Sequence, residues 1–354
     1  MEYTVKAREK EYDYYRVLVE DEDEIEEMKK EVKLGQGEQG SVYKMRIKKG
    51  KEKKYIAMKR FAVEKKNVKH LKNLFTKSAL KEESFIEYAS MQLVNELVLQ
   101  RICPNYVLNY GWSYKERKGV CDDSHPYKMY LYNEYVDKVE LFSDWMDKRH
   151  KSSEWFNVYF QILVAIYGIR EKFNLVHSDL HSFNIFIKKV KKGGYWKYRI
   201  EGKDYYVPNL GFVILMNDFG HGWIPSIFES WYVRERLKEI DLEERDTYDV
   251  KTVLELVLEY GEAPKYVRDV MEQGLSLIEK GGKSITLNDI IYTIWGSSFM
   301  LSDIGDDTKE CQKRPWHCYH KKPKGNTKMI EEYNLDKKID LRYIPKELRK
   351  MVTK

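Results

Sequence analysis

The sequence predicts an α+β protein in two parts, an antiparallel sheet with one main helix followed by a mostly helical region. Two observations carry this. Up to about residue 136 the apolar residues alternate in short runs broken by glycine- and lysine-rich turns, the pattern of half-buried strands. After Glu140 they recur at helical spacing, and only one long helical pattern, Ser84 to Cys103, interrupts the strands before that point.

The elements follow in order. Residues 1 to 28 form an extension periodic enough for a short helix and ending in the charged run DEDEIEEMKKE. Val32 and Leu34 open a strand, GQGEQG interrupts it, Ser41 to Ile47 is a second strand, and Tyr55 to Arg60 a third after the charged tip KKGKEKK. Residues 61 to 83 are basic and long for a connection, and are expected to be an insertion with a short helix. Pro104 ends the helix that follows, and strands are expected at Val107 to Tyr114 and Met129 to Val136. The second part begins near residue 137. Its expected helices are Trp155 to Phe173, Tyr248 to Tyr260, Val267 to Ile278 and Leu287 to Trp295, with a strand pair through Tyr195 to Met216. From about residue 301 to 354 the chain turns basic, 14 Lys or Arg against 9 Asp or Glu, without a strong hydrophobic period. It reads either as a solvated extension packed loosely or as a dock for an acidic protein or nucleic acid.

Composition narrows the function. Hydrophobic residues at 42% against charged residues at 34% fit a folded chain rather than a disordered one. The net charge of +6 over 354 residues is too mild to indicate nucleic-acid binding as the main activity. No run approaches the roughly 18 apolar residues of a spanning helix, so no membrane insertion is expected. The charged opening MEYTVKAREKEYDYY is unlike a secretory leader, so Cys103, Cys121, Cys311 and Cys318 are expected to be thiols in a reducing, intracellular compartment. Cys311, His317, Cys318 and His320 are four candidate zinc ligands, but lack paired C-x-x-C spacing, and adjacent His317 and Cys318 would strain the chelate.

Three segments carry chemistry. Gly35, Gly37 and Gly40 lie in GQGEQGSV between two strands, a placement unlike a dinucleotide fingerprint or a P-loop, yet one where bare backbone amides could approach phosphate oxygens. Lys59 in IAMK stands inside an apolar strand, where its ammonium must meet an anion or snorkel to water. HSDLHSFN and NDFG concentrate His177, Asp179, Asn184 and Asp218.

Taken in order, these features resemble the eukaryotic-type protein-kinase superfamily over residues 29 to 300. The resemblance implies a bilobal kinase-like fold, with a sheet lobe over 29 to 136 and a helical lobe over 137 to 300. It implies ATP and Mg²⁺ as cofactors and a protein substrate. The glycine-rich loop over the nucleotide would be Leu34, Gly35, Gln36, Gly37, Glu38, Gln39, Gly40, Ser41 and Val42. Ala57 and the backbone of Glu134 and Val136, in LYNEYV, would face adenine. Lys59 would pair with phosphates and be held by Glu96 on the helix, Asp179 would orient and deprotonate the acceptor hydroxyl, and Asn184 and Asp218 would hold magnesium. Asp249 resembles the aspartate that braces the catalytic loop.

The sequence departs from the family pattern in several places. Ser178 stands where arginine is usual, His181 where protein kinases commonly carry lysine, and no A-P-E follows DFG. HSDLH is thus also similar to the catalytic loops of choline and aminoglycoside kinases. A serine/threonine protein kinase leads, with a small-molecule kinase and a non-catalytic binding module as alternatives. The reduced pattern resembles kinases of large DNA viruses, which would add packaging in a virion to the cytoplasmic expectation.

Overall fold

The computed structural model describes residues 3–21, 25, 28–37, 40–47, 53–117, 124–225, 227–236, 244–259, 262–281, 287–291, 319, 322–323, 327–341 and 344–352. Strands β1 (Lys29–Gln36), β2 (Gly40–Ile47), β3 (Lys54–Val63), β4 (Asn109–Glu116) and β5 (Tyr127–Glu134) form one antiparallel sheet in the order β1-β2-β3-β5-β4. Their register sets the site. Gly35 lies opposite Val42, Val42 opposite Lys59, and Lys59 opposite Leu131, so these residues form one cross-strand row. Ala57, two residues from Lys59, shares its face.

Helix α1 (Val5–Val19) packs on β4. The Thr4 hydroxyl accepts from Ala7 N at 3.3 Å to cap it. The basic stretch after β3 contains a 3₁₀ helix, Lys65–Lys72. Helix α2 (Glu83–Leu99) buries nearly every side chain, polar Ser84, Glu87, Ser90, Asn95 and Glu96 among them. It stops before the expected Cys103 because Arg101 turns left-handed (φ 56°) and Ile102 N bonds back to Leu97 O at 2.8 Å.

The helical region comprises α3 (Phe142–Met146), α4 (Ser152–Phe173), α5 (Trp231–Arg236), α6 (Glu244–Glu259), α7 (Lys265–Gly281) and α8 (Leu287–Ile291). α4 is its axis, buried continuously from Trp155 to Ile169 and touching α6, α7 and α8. The architecture is α+β, an N-terminal antiparallel sheet with its helix preceding a mostly helical region.

Strands β6 (Val139–Leu141), β7 (Ile185–Lys189) and β10 (Phe212–Met216) form a second sheet in the order β10-β7-β6. β7 and β10 pair with Ile185 opposite Met216, which closes the long gap between Asn184 and Asp218. The residues between them make the hairpin β8 (Tyr195–Ile200) and β9 (Lys203–Pro208). β11 (Met329–Asn334) adds to that hairpin parallel to β8, and α9 (Lys346–Val352) follows.

Among the described residues of the basic tail, this corrects the reading of it as loosely packed. Tyr333, Leu335, Ile344 and Leu348 are all at most 3% exposed. Each contributes roughly 1.5–3 kcal/mol of burial, too much for a solvated extension. Cys121 and the candidate zinc ligands Cys311, His317, Cys318 and His320 lie outside the described residues, whereas Cys103 is a buried free thiol.

Candidate active site

Gly37 N donates to Gly40 O at 3.0 Å, closing the turn between β1 and β2. An added Cβ at Gly40 would sit 2.3 Å from Arg60 O, so close approach of β3 requires glycine there. At Gly35 and Gly37 a Cβ would meet nothing within 4 Å. Among the described residues no contact demands those two glycines, which leaves bare backbone there. Leu34 is exposed at the end of β1, Ser41 is buried, and Glu38 and Gln39 lie outside the described residues.

Lys59 does not snorkel. It is 7% exposed, and its Nζ donates to Glu87 Oε2 at 2.7 Å and Asp218 Oδ1 at 2.8 Å. The partner expected at Glu96 is therefore Glu87. The two glutamates stand nine residues apart on α2, which is two and a half turns, so they project from opposite faces. Glu96 instead accepts from Gln100 Nε2 at 2.8 Å, and burial pushes its carboxyl up to about 7.

The cluster holds one cation and two carboxylates. Desolvation alone would lower the Lys59 pKa, but Asp218 and Glu87 outweigh it and keep the ammonium charged. Burial works to raise Asp218, yet the Lys59 charge brings it below the usual carboxylate range. Glu87, fully enclosed, carries the unfavourable remainder. Burial pushes it up to about 7 against the pull of Lys59, and its Oε1 has no hydrogen-bond partner among the described residues.

Asp218 reaches this position from the end of β10 through a left-handed backbone (φ 63°), a conformation tolerated better by Asp than by most residues. Asn217 N donates to Asn184 O at 3.0 Å, joining the two segments that β7 and β10 bring together. Asn184 Nδ2 donates to Asp179 O at 2.9 Å, and His181 Nε2 lies 3.6 Å from Asp179 Oδ2. Asp179 is drawn below its ordinary pKa; burial opposes the shift, and His181 provides the largest pull.

The loop bearing Asp179 is fixed from below. Asp249 on α6 accepts from His177 N at 2.7 Å and Ser178 N at 3.0 Å. His177 Nε2 is 3.0 Å from Asn217 O; a carbonyl only accepts, so this nitrogen carries the proton. The His177 ring lies 4.7 Å from that of Phe219. Thus Lys59, Asp218 and the Asp179–Asn184 loop, distant from one another in sequence, are connected through hydrogen bonds and the pairing of β7 with β10.

At the end of β5, Glu134 points its side chain away from this cluster, into α1. Sequence reasoning missed its partner there, Arg8, because an arginine in a mixed-charge helix reads as solvated; it also missed Glu87. Among the described residues no group of three or more His, Cys, Asp or Glu side chains forms a metal cage, and no helix is long and apolar enough to cross a membrane.

No protein-family model matches the chain. It is 26% identical over 154 residues to a probable serine/threonine-protein kinase, 380R, of Invertebrate iridescent virus 6, covering 42% of this chain and 29% of that protein. It is 34% identical over 62 residues to a putative serine/threonine-protein kinase, 019R, of Frog virus 3, covering 17% of this chain and 7% of that one. An uncharacterized protein, 011L, of Invertebrate iridescent virus 3 is 24% identical over 149 residues, 37% of this chain and 19% of its own. The chain thus spans less than a third of the length of these relatives. They indicate a distant relationship to divergent viral members of the kinase superfamily, not to a particular enzyme.

Proposed function

We propose that the protein is an ATP- and magnesium-dependent phosphotransferase acting on serine and threonine hydroxyls of proteins. The observation that carries this reading is Lys59 held between Glu87 and Asp218, with Asp218 tied through Asn217 and Asn184 to the Asp179 loop. On this reading residues 29–136 and 137–300 are the two lobes, and the nucleotide lies between them under the glycine turn. Val42 and Ala57 share the face of Lys59 and would cover adenine, whose edge would meet the Glu134 carbonyl and Val136 N–H.

Asp179 would orient the acceptor hydroxyl and take its proton as the oxygen attacks the γ-phosphorus. The bond to the β,γ-bridging oxygen breaks, and ADP leaves with that electron pair. Lys59 would neutralise phosphate charge. One carboxylate, Asp218, and one amide, Asn184, fit the sparse protein ligation magnesium accepts beside phosphates and water. When bound, that ion would supply charge stabilisation on the phosphate oxygens.

A small-molecule kinase is the second reading, favoured by His181 beside Asp179 and Asn184 in place of a lysine. Radiolabelled ATP with magnesium, offered with the protein itself, basic and acidic proteins and a panel of small alcohols, separates the two. Label in protein serine or threonine is expected; label in small alcohols alone would overturn the leading reading, and no transfer at all would leave a binding module.

A further inference from the structure

We infer that α1 is a brace for the nucleotide site, with Arg8 and Tyr3 as positioning residues that fix the connector between β5 and β6 from behind. The inference rests on the phosphotransferase reading, in which the backbone of Glu134 and Val136 faces adenine.

The connector is fastened at both ends, and Tyr3 lies at both fastenings. At Glu134 the carboxylate accepts from Arg8 Nε at 3.1 Å, Arg8 Nη2 at 2.7 Å, Tyr3 OH at 2.8 Å and Leu108 N at 3.2 Å. Arg8 turns its remaining donors on the neighbouring segment, Nη1 to Pro104 O at 2.7 Å and Nη2 to Tyr106 O. Both side chains are almost fully enclosed, Arg8 at 3% and Glu134 at 4% exposed. At Asp137 the backbone carbonyl accepts from Lys188 on β7 at 2.7 Å. The Tyr3 ring has the Arg8 guanidinium 5.0 Å and the Lys188 ammonium 5.5 Å from its centroid. The backbone of Tyr135 and Val136 spans between these two anchors.

Such an assembly is costly to bury and does not favour stability over an apolar equivalent, so the ion pair itself needs another explanation. A planar fork gripping a carboxylate fixes direction as well as distance. Here it fixes the strand end whose backbone would meet the base. Connectors of this kind absorb movement between the parts they join, so a clamp on one sets how well the nucleotide contacts are pre-formed. α1 is itself held in place by β11, where Glu331 accepts from Val5 N at 2.8 Å.

The test compares Arg8→Lys, which keeps charge but loses the fork, and Tyr3→Phe, which loses one hydrogen bond, with Leu18→Ala, which weakens the α1 packing without touching Glu134. Melting temperature, MgATP affinity from a fluorescent analogue, and KM for ATP and for the phosphoacceptor are read on each. Arg8→Lys is expected to weaken MgATP binding about tenfold, within the usual range of coupling between separate sites, and to leave the acceptor KM unchanged. Tyr3→Phe should weaken it a few-fold and Leu18→Ala not at all, even with an equal fall in melting temperature. Wild-type affinity in both Arg8→Lys and Tyr3→Phe, or an equal loss in Leu18→Ala, overturns the brace alone. A wild-type protein that binds no MgATP overturns the phosphotransferase reading and the brace with it.

Discussion

Replacing Glu87 by glutamine tests the central pair most directly, with Glu96→Gln as its matched control on the same helix. Glutamine keeps the shape and one acceptor at position 87, so Lys59 retains a neutral hydrogen bond there and its full contact with Asp218. Losing the charged bond costs about 1.5–3 kcal/mol. Relief from burying a second carboxylate in the cluster offsets much of it, so net stability should change by no more than ~1–2 kcal/mol. Phosphoryl transfer has no such offset. Without the Glu87 charge, Lys59 is drawn toward Asp218 alone, and the lost orientation should lower the turnover by ~10²-fold, the scale of losing one preorganised electrostatic contact. Glu96→Gln should leave turnover within about twofold of wild type, because its side chain meets Gln100 rather than the cleft. Initial rates with radiolabelled ATP and melting curves on the same preparations measure both. A near-normal rate in Glu87→Gln, or a collapse in Glu96→Gln without loss of melting temperature, would refute the assignment.

Asp179→Asn should fold normally, keep MgATP affinity and lose about 10²–10⁴ in transfer, whereas Asp218→Asn should also weaken the magnesium-dependent part of nucleotide binding; kinetics and titration calorimetry with and without magnesium distinguish them. Glu96 also makes a pH prediction: its folded pKa of about 7 exceeds the unfolded 4.5, so the unfolded chain loses this proton first and stability falls as pH rises through that window. The Glu96 part of the fall is on the order of 3 kcal/mol; Glu87, raised to about 7 as well, contributes in both proteins, so urea unfolding at several pH values should show a fall in Glu96→Gln that is smaller than the wild-type fall by that amount. Tyr333→Ala should cost about 3–5 kcal/mol by emptying a buried aromatic site, while a loosely docked tail would show almost no change in the unfolding midpoint.

Residues that act through local pattern were legible in the sequence; residues whose role depends on which way a helix faces were not. The strand that follows GQGEQG alternates cleanly between half-buried and buried positions, and the motif order was enough to anticipate which parts of the chain meet. α2 is different. Because it is enclosed almost all round, no polar stripe marks its outer side, and nothing in its periodicity distinguishes Glu87 from Glu96. β11 was hidden for a related reason: its inward face begins with Glu331, a carboxylate bound to Val5 N and to Tyr333 OH, so the alternation of apolar residues is broken where the strand packs. Arg8 gave no signal, since only the tertiary structure turns a helical arginine onto a strand end.

The contact between Val5 and Glu331 joins residues 326 positions apart, and β11 pairs with β8 across more than a hundred residues. Contacts of such separation form late, since the entropy of closing a long loop precedes any return from the contact. During synthesis the sheet, α2 and the Asp179 loop can all be present before residue 331 leaves the ribosome. The start of α1 then lacks the carboxylate that accepts its first amide. This separation predicts that the cluster around Lys59 and Asp218 assembles ahead of β11, which secures α1, and that Arg8 seats fully against Glu134 only as β11 docks.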